Sequence, residues 1–167
     1  MPVLGNDAGT GGDAGNTTST ATPLPATNGT YYGNLTTSSD TSDYYLINMS
    51  SNTGIAVQIT YPSSADFDLA LLNSGGGYID LSTNAGTTDD VTSNGTSVGG
   101  NSVYIWVDHY SGTAQYTMQI WIFSTGSSGG GGGGAGSGNN GHDAGTGNDA
   151  GNSQASAMLI NATNVSF

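Results

Sequence analysis

The chain has 167 residues, enough for one ordinary domain, and its formal net charge is −12 because it contains twelve Asp and neither Lys nor Arg. Binding to nucleic acid or to anionic lipid requires cationic side chains, so both classes are excluded. Cysteine is absent, which excludes disulfides and thiolate metal sites. A chain this anionic attracts hard cations, calcium above all.

The first predicted element, residues 1–29, is an acidic, glycine-rich loop with the segment that leads into the next element. Residues 6–16 read NDAGTGGDAGN, with no apolar side chain larger than alanine. Such a loop cannot build a core, and ordering it costs conformational entropy. Its glycines allow tight turns that direct carbonyl oxygens inward. We predict a metal-binding loop, and the alternative is a solvated acidic linker.

Residues 30–125 alternate between strand patterns and turn residues. Every second residue is apolar in stretches such as DYYLINMS, GIAVQITY, DFDLALLN and SVYIWVDHY. We count about eight short strands and no convincing amphipathic helix. The pattern predicts an all-β fold, an antiparallel sandwich whose two inner faces form a small core.

The last two elements are a Gly/Ser-rich linker, residues 126–141, and the start of a second repeat, residues 142–167. HDAGTGNDAGN at 142–152 repeats the first loop, with Asp7 matching Asp143 and Asp13 matching Asp149. A period this long predicts successive domains rather than a solenoid. The strand-like end of the chain belongs to the next domain of a longer polypeptide, or it completes a neighbour's sandwich by strand addition.

Calcium binds six to eight oxygens, from carboxylates and from amide and backbone carbonyls. The first loop supplies Asp7, Asp13 and Asn16, and its repeat supplies the corresponding ligands, namely Asp143, Asp149 and Asn152. Two carboxylates are too few for a tight site, so the sandwich must add more. We predict Asp40, Asp66 and Asp68 as that contribution, since the last two flank Phe67 and share one strand face. Alternatively, they are ordinary charges at strand edges.

Several features predict an extracellular or cell-surface location. Candidate glycosylation sites of the form Asn-x-Ser/Thr occur at Asn16, Asn28, Asn34, Asn48, Asn94, Asn161 and Asn164. Chance is the alternative for each of them, because the chain is rich in Asn, Ser and Thr. No apolar run approaches the ~20 residues of a membrane helix. An export signal, if there is one, was cleaved or lies outside this sequence.

The strand motifs also resemble a known family. TYYGNLTTSSDTSDYYLINMS, ADFDLALLNSGG and NSVYIWVDHYSGTAQYTMQIWI are similar to the Y-x-G-x-L, D-x-x-D-Y-Y, A-D-x-D-L and Y-I-x-V motifs of the bacterial pre-peptidase C-terminal (PPC) domain. The resemblance covers about residues 20–123. It implies a jelly-roll-like β-sandwich and a non-catalytic module of secreted or surface proteins. Related collagenase domains bind collagen, but no collagen-contacting surface can be mapped onto this sequence.

These observations together predict a non-catalytic, calcium-stabilised repeat module of an extracellular fibre or surface protein. Its expected partners are neighbouring copies of the same repeat, assembled head to tail, with Ca²⁺ as the cofactor. The alternative is an adhesin or an accessory binding module of a secreted hydrolase, which recognises glycan or protein. For that role the aromatic residues would form a carbohydrate-binding strip, although such residues are more often core or cross-strand pairs; the candidates are Tyr31, Tyr32, Tyr44, Tyr45, Trp106 and Trp121.

Overall fold

The computed structural model describes residues 6–125, which form two β-sheets around a shared core. After a 3₁₀ turn at Asp7–Gly9, the strands are β1 (Thr22–Leu24), β2 (Gly29–Leu35), β3 (Ser42–Asn48), β4 (Thr53–Thr60), β5 (Asp66–Leu72), β6 (Tyr78–Ser82), β7 (Thr88–Thr92), β8 (Ser102–Ser111) and β9 (Ala114–Ser124). The predicted all-β sandwich is confirmed.

One sheet has five strands in the order β1-β3-β8-β5-β6, and the other has four in the order β2-β9-β4-β7. The pairs are antiparallel except β1–β3, which is parallel. Strand β1 is the one that the periodicity did not predict. It has three residues, including Pro23, which is too short for an alternating pattern.

The core follows the predicted alternation. On β3 the inward side chains are Tyr45 and Ile47, and on β5 they are Phe67, Leu69 and Leu71, all of them fully buried. The residues between them point to the outer face of the five-stranded sheet. This alternation decides which carboxylates reach the inside of the sandwich.

The described part of the chain contains no helix long and apolar enough to cross a membrane. The predicted linker at 126–141 and second repeat at 142–167 lie outside the described residues, so both remain predictions.

Candidate metal centre

The N-terminal loop is closed by its own backbone. The amide of Asp7 donates to the carbonyl of Gly12 at 2.9 Å, and the amide of Thr10 donates to the carbonyl of Asp7 at 3.1 Å. Gly11 and Gly15 have φ angles of +91° and +81°, a region that residues with a side chain rarely adopt. The glycine-rich composition is therefore what permits this turn.

Backbone hydrogen bonds attach the end of this loop to the five-stranded sheet. The amide of Tyr44 on β3 donates to the carbonyl of Gly15 at 2.9 Å, and that of Thr22 on β1 donates to Ala14 at 3.1 Å. Ala14 is fully buried, and a Cβ at Gly15 would collide with the carbonyl of Thr20. The loop is thus packed against the sandwich rather than extended into solvent.

Asp7 joins this loop to the other sheet. Its side chain is 1% exposed, and its Oδ1 accepts a hydrogen bond from the amide of Asn34 on β2 at 2.9 Å. Its Oδ2 accepts from the amide of Ala14 at 3.3 Å. A buried carboxylate held by two backbone donors is fixed in position.

Four carboxylates meet where the loop packs on the sandwich. Asp7 and Asp13 come from the loop, Asp40 precedes β3, and Asp43 lies on β3. One oxygen of each lies within 4.8 Å of the corresponding oxygen of every other. We call these four residues the aspartate cluster. The whole sequence has neither Lys nor Arg, so no such side chain of this chain can balance their charge.

Burial and mutual repulsion raise the pKa values of the cluster. Burial, with Asp13 nearby, raises the pKa of Asp7 to about 6. Burial and the Asp13 carboxylate raise the pKa of Asp40 to about 7. Burial and the Asp7 carboxylate raise the pKa of Asp43 to about 9, against a hydrogen bond from Tyr116 that lowers it. Without a cation, the cluster therefore favours protons over charge.

Some oxygens of this centre are buried without a hydrogen-bond partner. Oδ1 of Asp43, Oδ1 of Asn34 and Oδ1 of Asp40 are inaccessible to solvent and accept no hydrogen bond. Asp43 is fully buried and Asn34 is 5% exposed. Leaving such atoms unpaired costs free energy, and a bound ion is one of the recognised explanations for them.

Tyr116 on β9 fixes the other oxygen of Asp43. Its hydroxyl donates to Oδ2 of Asp43 at 2.5 Å and lies 2.7 Å from the hydroxyl of Tyr45. Gly33 on β2 makes room for this ring, since a Cβ there would collide with it. The hydrogen bond thus holds Oδ2 of Asp43 from the core side, while Oδ1 has no partner.

The donor set fits calcium. It consists of carboxylate and amide oxygens, with neither the His nor the Cys that softer metals prefer. The four carboxylates supply at least four of the six to eight oxygens that calcium takes, and the amide oxygen of the neighbouring Asn34, backbone carbonyls or water could supply the rest.

The sequence-predicted ligands are divided by the structure. Asp7, Asp13 and Asp40 are brought together, and Asp43, which was not among the predicted ligands, joins them. Asn16 lies beside the cluster, where its amide donates to Oδ2 of Asp13 at 3.5 Å, but it is exposed. Asp43 could have been found from the alternation that places Tyr45 inward, because residues two apart share a strand face.

Asp66 and Asp68 correct the prediction, because they do not join the aspartate cluster. They flank the inward-pointing Phe67 on β5, so the same alternation directs them to the outer face of the sheet. In the register of the sheet, Asp68 pairs with Asp108 on β8, and Asp108 pairs with Ser42 on β3. They therefore belong to a different surface.

The candidate glycosylation sites are also divided. Asn34 is buried and lies next to the aspartate cluster, so its prediction is wrong: a glycan cannot be accommodated on a buried amide. The exposed candidates are Asn16, Asn28, Asn48 and Asn94. Two more candidates, Asn161 and Asn164, lie outside the described residues. The ligands predicted for the second loop also lie outside them, namely Asp143, Asp149 and Asn152.

No protein-family model matches this sequence, and no curated protein matches it either. Among solved structures, the chain is similar to the pre-peptidase C-terminal domain of a collagenase from Bacillus anthracis, at 18% identity and a TM-score of 0.47, covering 59% of this chain and 92% of that one. It is similar to the Yersinia pseudotuberculosis-derived mitogen, at 18% identity and a TM-score of 0.44, covering 56% and 84%. It is also similar to PliG of Aeromonas hydrophila, a periplasmic inhibitor of g-type lysozyme, at 13% identity and a TM-score of 0.45, covering 61% and 96%. None of these similarities identifies a family, ligand or activity for this chain.

Proposed function

We propose that this domain is a calcium-stabilised, non-catalytic β-sandwich module of an extracellular protein, in which the ion joins the N-terminal loop to the sandwich. The observation that carries the proposal is the fully buried Oδ1 of Asp43, which has no hydrogen-bond partner and belongs to a cluster of four carboxylates. A divalent cation would supply this partner and offset the repulsion within the cluster.

The proposed extracellular location sets the affinity that we expect of such a site. Extracellular modules bind calcium with Kd values of roughly 10⁻⁴ to 10⁻³ M. A site of that strength is at least about half occupied at millimolar calcium and is empty at the micromolar or lower concentrations of cytosol. The exposed candidate glycosylation sites suit the same location.

The test is a calcium titration of the purified protein, in which calorimetry measures binding and thermal unfolding measures stability. We expect one calcium site within the domain, and a stabilisation of ~2.7 kcal/mol at a calcium concentration about 100 times Kd. Magnesium should stabilise the domain less, because it dehydrates reluctantly and demands stricter geometry.

Asp43→Asn is the informative variant, and Asp90→Asn is its control, since Asp90 is exposed on β7 and lies outside the cluster. Replacing the carboxyl of Asp43 by an amide of the same shape should leave the stability of the calcium-free protein at neutral pH nearly unchanged, because burial raises the pKa of Asp43 to about 9 and keeps it protonated, but should abolish the response to calcium. Asp90→Asn should respond like the wild type. A wild-type protein whose unfolding temperature is the same in calcium and in chelator would refute the proposal.

The repeated loop extends this proposal to the longer chain. A second calcium loop at 142–152 would stiffen the joint before a following domain, and successive joints would give an extended array of copies. Small-angle scattering of a protein with two or more repeats should then show a larger maximum dimension in calcium than in chelator. Equal dimensions in both conditions would contradict the array while leaving the single-domain site standing.

A further inference from the structure

A row of aromatic rings crosses the outer face of the five-stranded sheet, away from the aspartate cluster. The rings of Tyr44 on β3 and Trp106 on β8 are stacked, with centroids 5.5 Å apart and an interplanar angle of 15°. The ring of Tyr78 on β6 lies 6.5 Å from that of Trp106 at 29°. Tyr78 is 59% exposed, so the row is open to solvent at this end.

A pocket of about 160 Å³ lies beside these rings. Ala70 on β5 pairs with Trp106 on one side and with Leu81 on the other, and its short side chain leaves space between them. We call this space the outer-face pocket; it is lined by Asp68, Ala70, Tyr78, Leu81, Trp106 and Asp108. Drug-sized ligands occupy pockets of about 300–1,000 Å³, so this one suits a single side chain rather than an oligosaccharide.

Two carboxylates, those of Asp68 and Asp108, line the pocket. Asp68 and Asp108 are register partners on β5 and β8, so their side chains share the outer face. The hydroxyl of Ser42 donates to Oδ1 of Asp108 at 2.6 Å and accepts from Nε1 of Trp106 at 3.3 Å. These contacts hold the carboxylate and the indole in place before any ligand arrives.

The charge of the pocket selects its ligand. Like charges directly opposite on neighbouring strands destabilise a sheet, and no Lys or Arg exists in the sequence to pair with these two. A neutral sugar would stack on the rings but leave the repulsion in place. A planar cation both stacks on the aromatic rings and relieves the repulsion between the two carboxylates, because it forms paired hydrogen bonds with carboxylate oxygens.

The surface continues beyond the pocket, which favours a protein as the source of the cation. A neighbouring depression shares Asp68 and is lined by Asp66 and by Tyr110, which is 73% exposed. The acidic and aromatic surface is therefore longer than one side chain, and its charge is complementary to a basic segment.

We propose that the outer-face pocket binds the guanidinium group of an arginine side chain on a basic partner protein, between the aromatic row and the carboxylates of Asp68 and Asp108. This site is independent of the proposed calcium centre, which lies at the other face of β3. It adds partner recognition to a module otherwise proposed for stability.

The test uses N-acetyl-arginine amide as the probe, with the indole N–H signals of the calcium-loaded protein followed by NMR. The signal of Trp106 should shift in a saturable manner, while that of Trp121 on β9 should not. N-acetyl-citrulline amide, which has the same shape without the charge, should bind at least about tenfold more weakly. Cellobiose should leave Trp106 unchanged.

Two variants test the pocket itself. Ala70→Leu fills the pocket and Asp68→Asn with Asp108→Asn removes its charge; each should weaken arginine binding at least about tenfold. Asp90→Asn is the matched control and should bind like the wild type. Equal binding of citrulline and arginine, binding of cellobiose at Trp106, or arginine binding that survives both variants would each overturn the proposal.

Discussion

The hydroxyl of Tyr116 donates a 2.5 Å hydrogen bond to Oδ2 of Asp43, and this contact connects the two sheets inside the sandwich. Tyr116 lies on β9 of the four-stranded sheet and Asp43 on β3 of the five-stranded sheet. The bond leaves Oδ1 of Asp43, which has no partner, available to the aspartate cluster. The core and the proposed calcium site therefore share one carboxylate.

Replacing this donor should cost stability. We expect Tyr116→Phe to lower the free energy of unfolding by ~1–3 kcal/mol, because Oδ2 of the fully buried Asp43 then loses its hydrogen-bond donor. Urea denaturation with calcium present measures the change. Tyr110→Phe is the control, since Tyr110 is 73% exposed and its loss should be close to neutral. Equal losses in the two variants would contradict this account of the core.

The free energy of unfolding of the calcium-free domain should decrease as the pH rises from acidic to mildly alkaline values. Asp7, Asp40 and Asp43 have pKa values of about 6, 7 and 9 in the folded protein, all above the ordinary 3.8. The folded state therefore binds more protons than the unfolded state. The stability that these carboxyl groups contribute is fully present below pH 3.8, their ordinary pKa, and is lost as the pH rises through their three raised pKa values.

Unfolding in metal-free buffer should consequently show a more stable protein at about pH 5 than at about pH 8. Saturating calcium should reverse the order, because the ion competes with protons for the same carboxylates. Asp43→Asn should flatten the metal-free dependence, since it removes the group with the most strongly raised pKa. A metal-free stability that increases with pH would show that the cluster does not titrate as described.

Calcium affinity should distinguish the observed cluster from the predicted one. Asp13→Asn changes an exposed member of the cluster and should weaken calcium binding at least about tenfold, since charge count sets affinity. Asp66→Asn with Asp68→Asn should leave the affinity nearly unchanged, because these residues face outward on β5. Calorimetric titration of the three proteins measures the difference. A larger loss of affinity in the Asp66→Asn, Asp68→Asn double variant than in Asp13→Asn would instead support the ligands predicted from the sequence.

The backbone of the loop offers a further test. Gly15→Ala places a side chain at a φ of +81° and against the carbonyl of Thr20, so we expect a loss of ~1–2 kcal/mol or more and weaker calcium binding. Gly12→Ala is its control, because a Cβ there meets nothing within 4 Å. Thermal unfolding in calcium and in chelator measures both effects. Identical behaviour of the two variants would mean that the packing of the loop does not support the site.

The fold could be predicted largely because alternation is local. The side chains of β3 and β5 that point into the core are every second residue of the strand, as the sequence pattern predicts. The outward position of Asp68 follows from the same alternation. The order of the strands could not be predicted, since β3 pairs with β8 across more than fifty residues. Asp43 was within reach of the same alternation, but the sequence does not show that Tyr116, more than seventy residues away, donates a hydrogen bond to it inside the core. Asn34 was interpreted as a glycosylation site because its neighbours form the motif, whereas burial depends on tertiary contacts.

The aspartate cluster draws its members from residues 7, 13, 40 and 43, which are distant along the chain and meet only once β2, β3 and the loop are assembled. An unfolded chain has no such arrangement, so calcium would act by slowing unfolding rather than by speeding folding. Tension applied to the start of the chain would reach the calcium site proposed at Asp7 before it reached the three-residue ladder of β1. Under mechanical load, the resistance of the domain to being pulled apart would then be set by the calcium concentration around it.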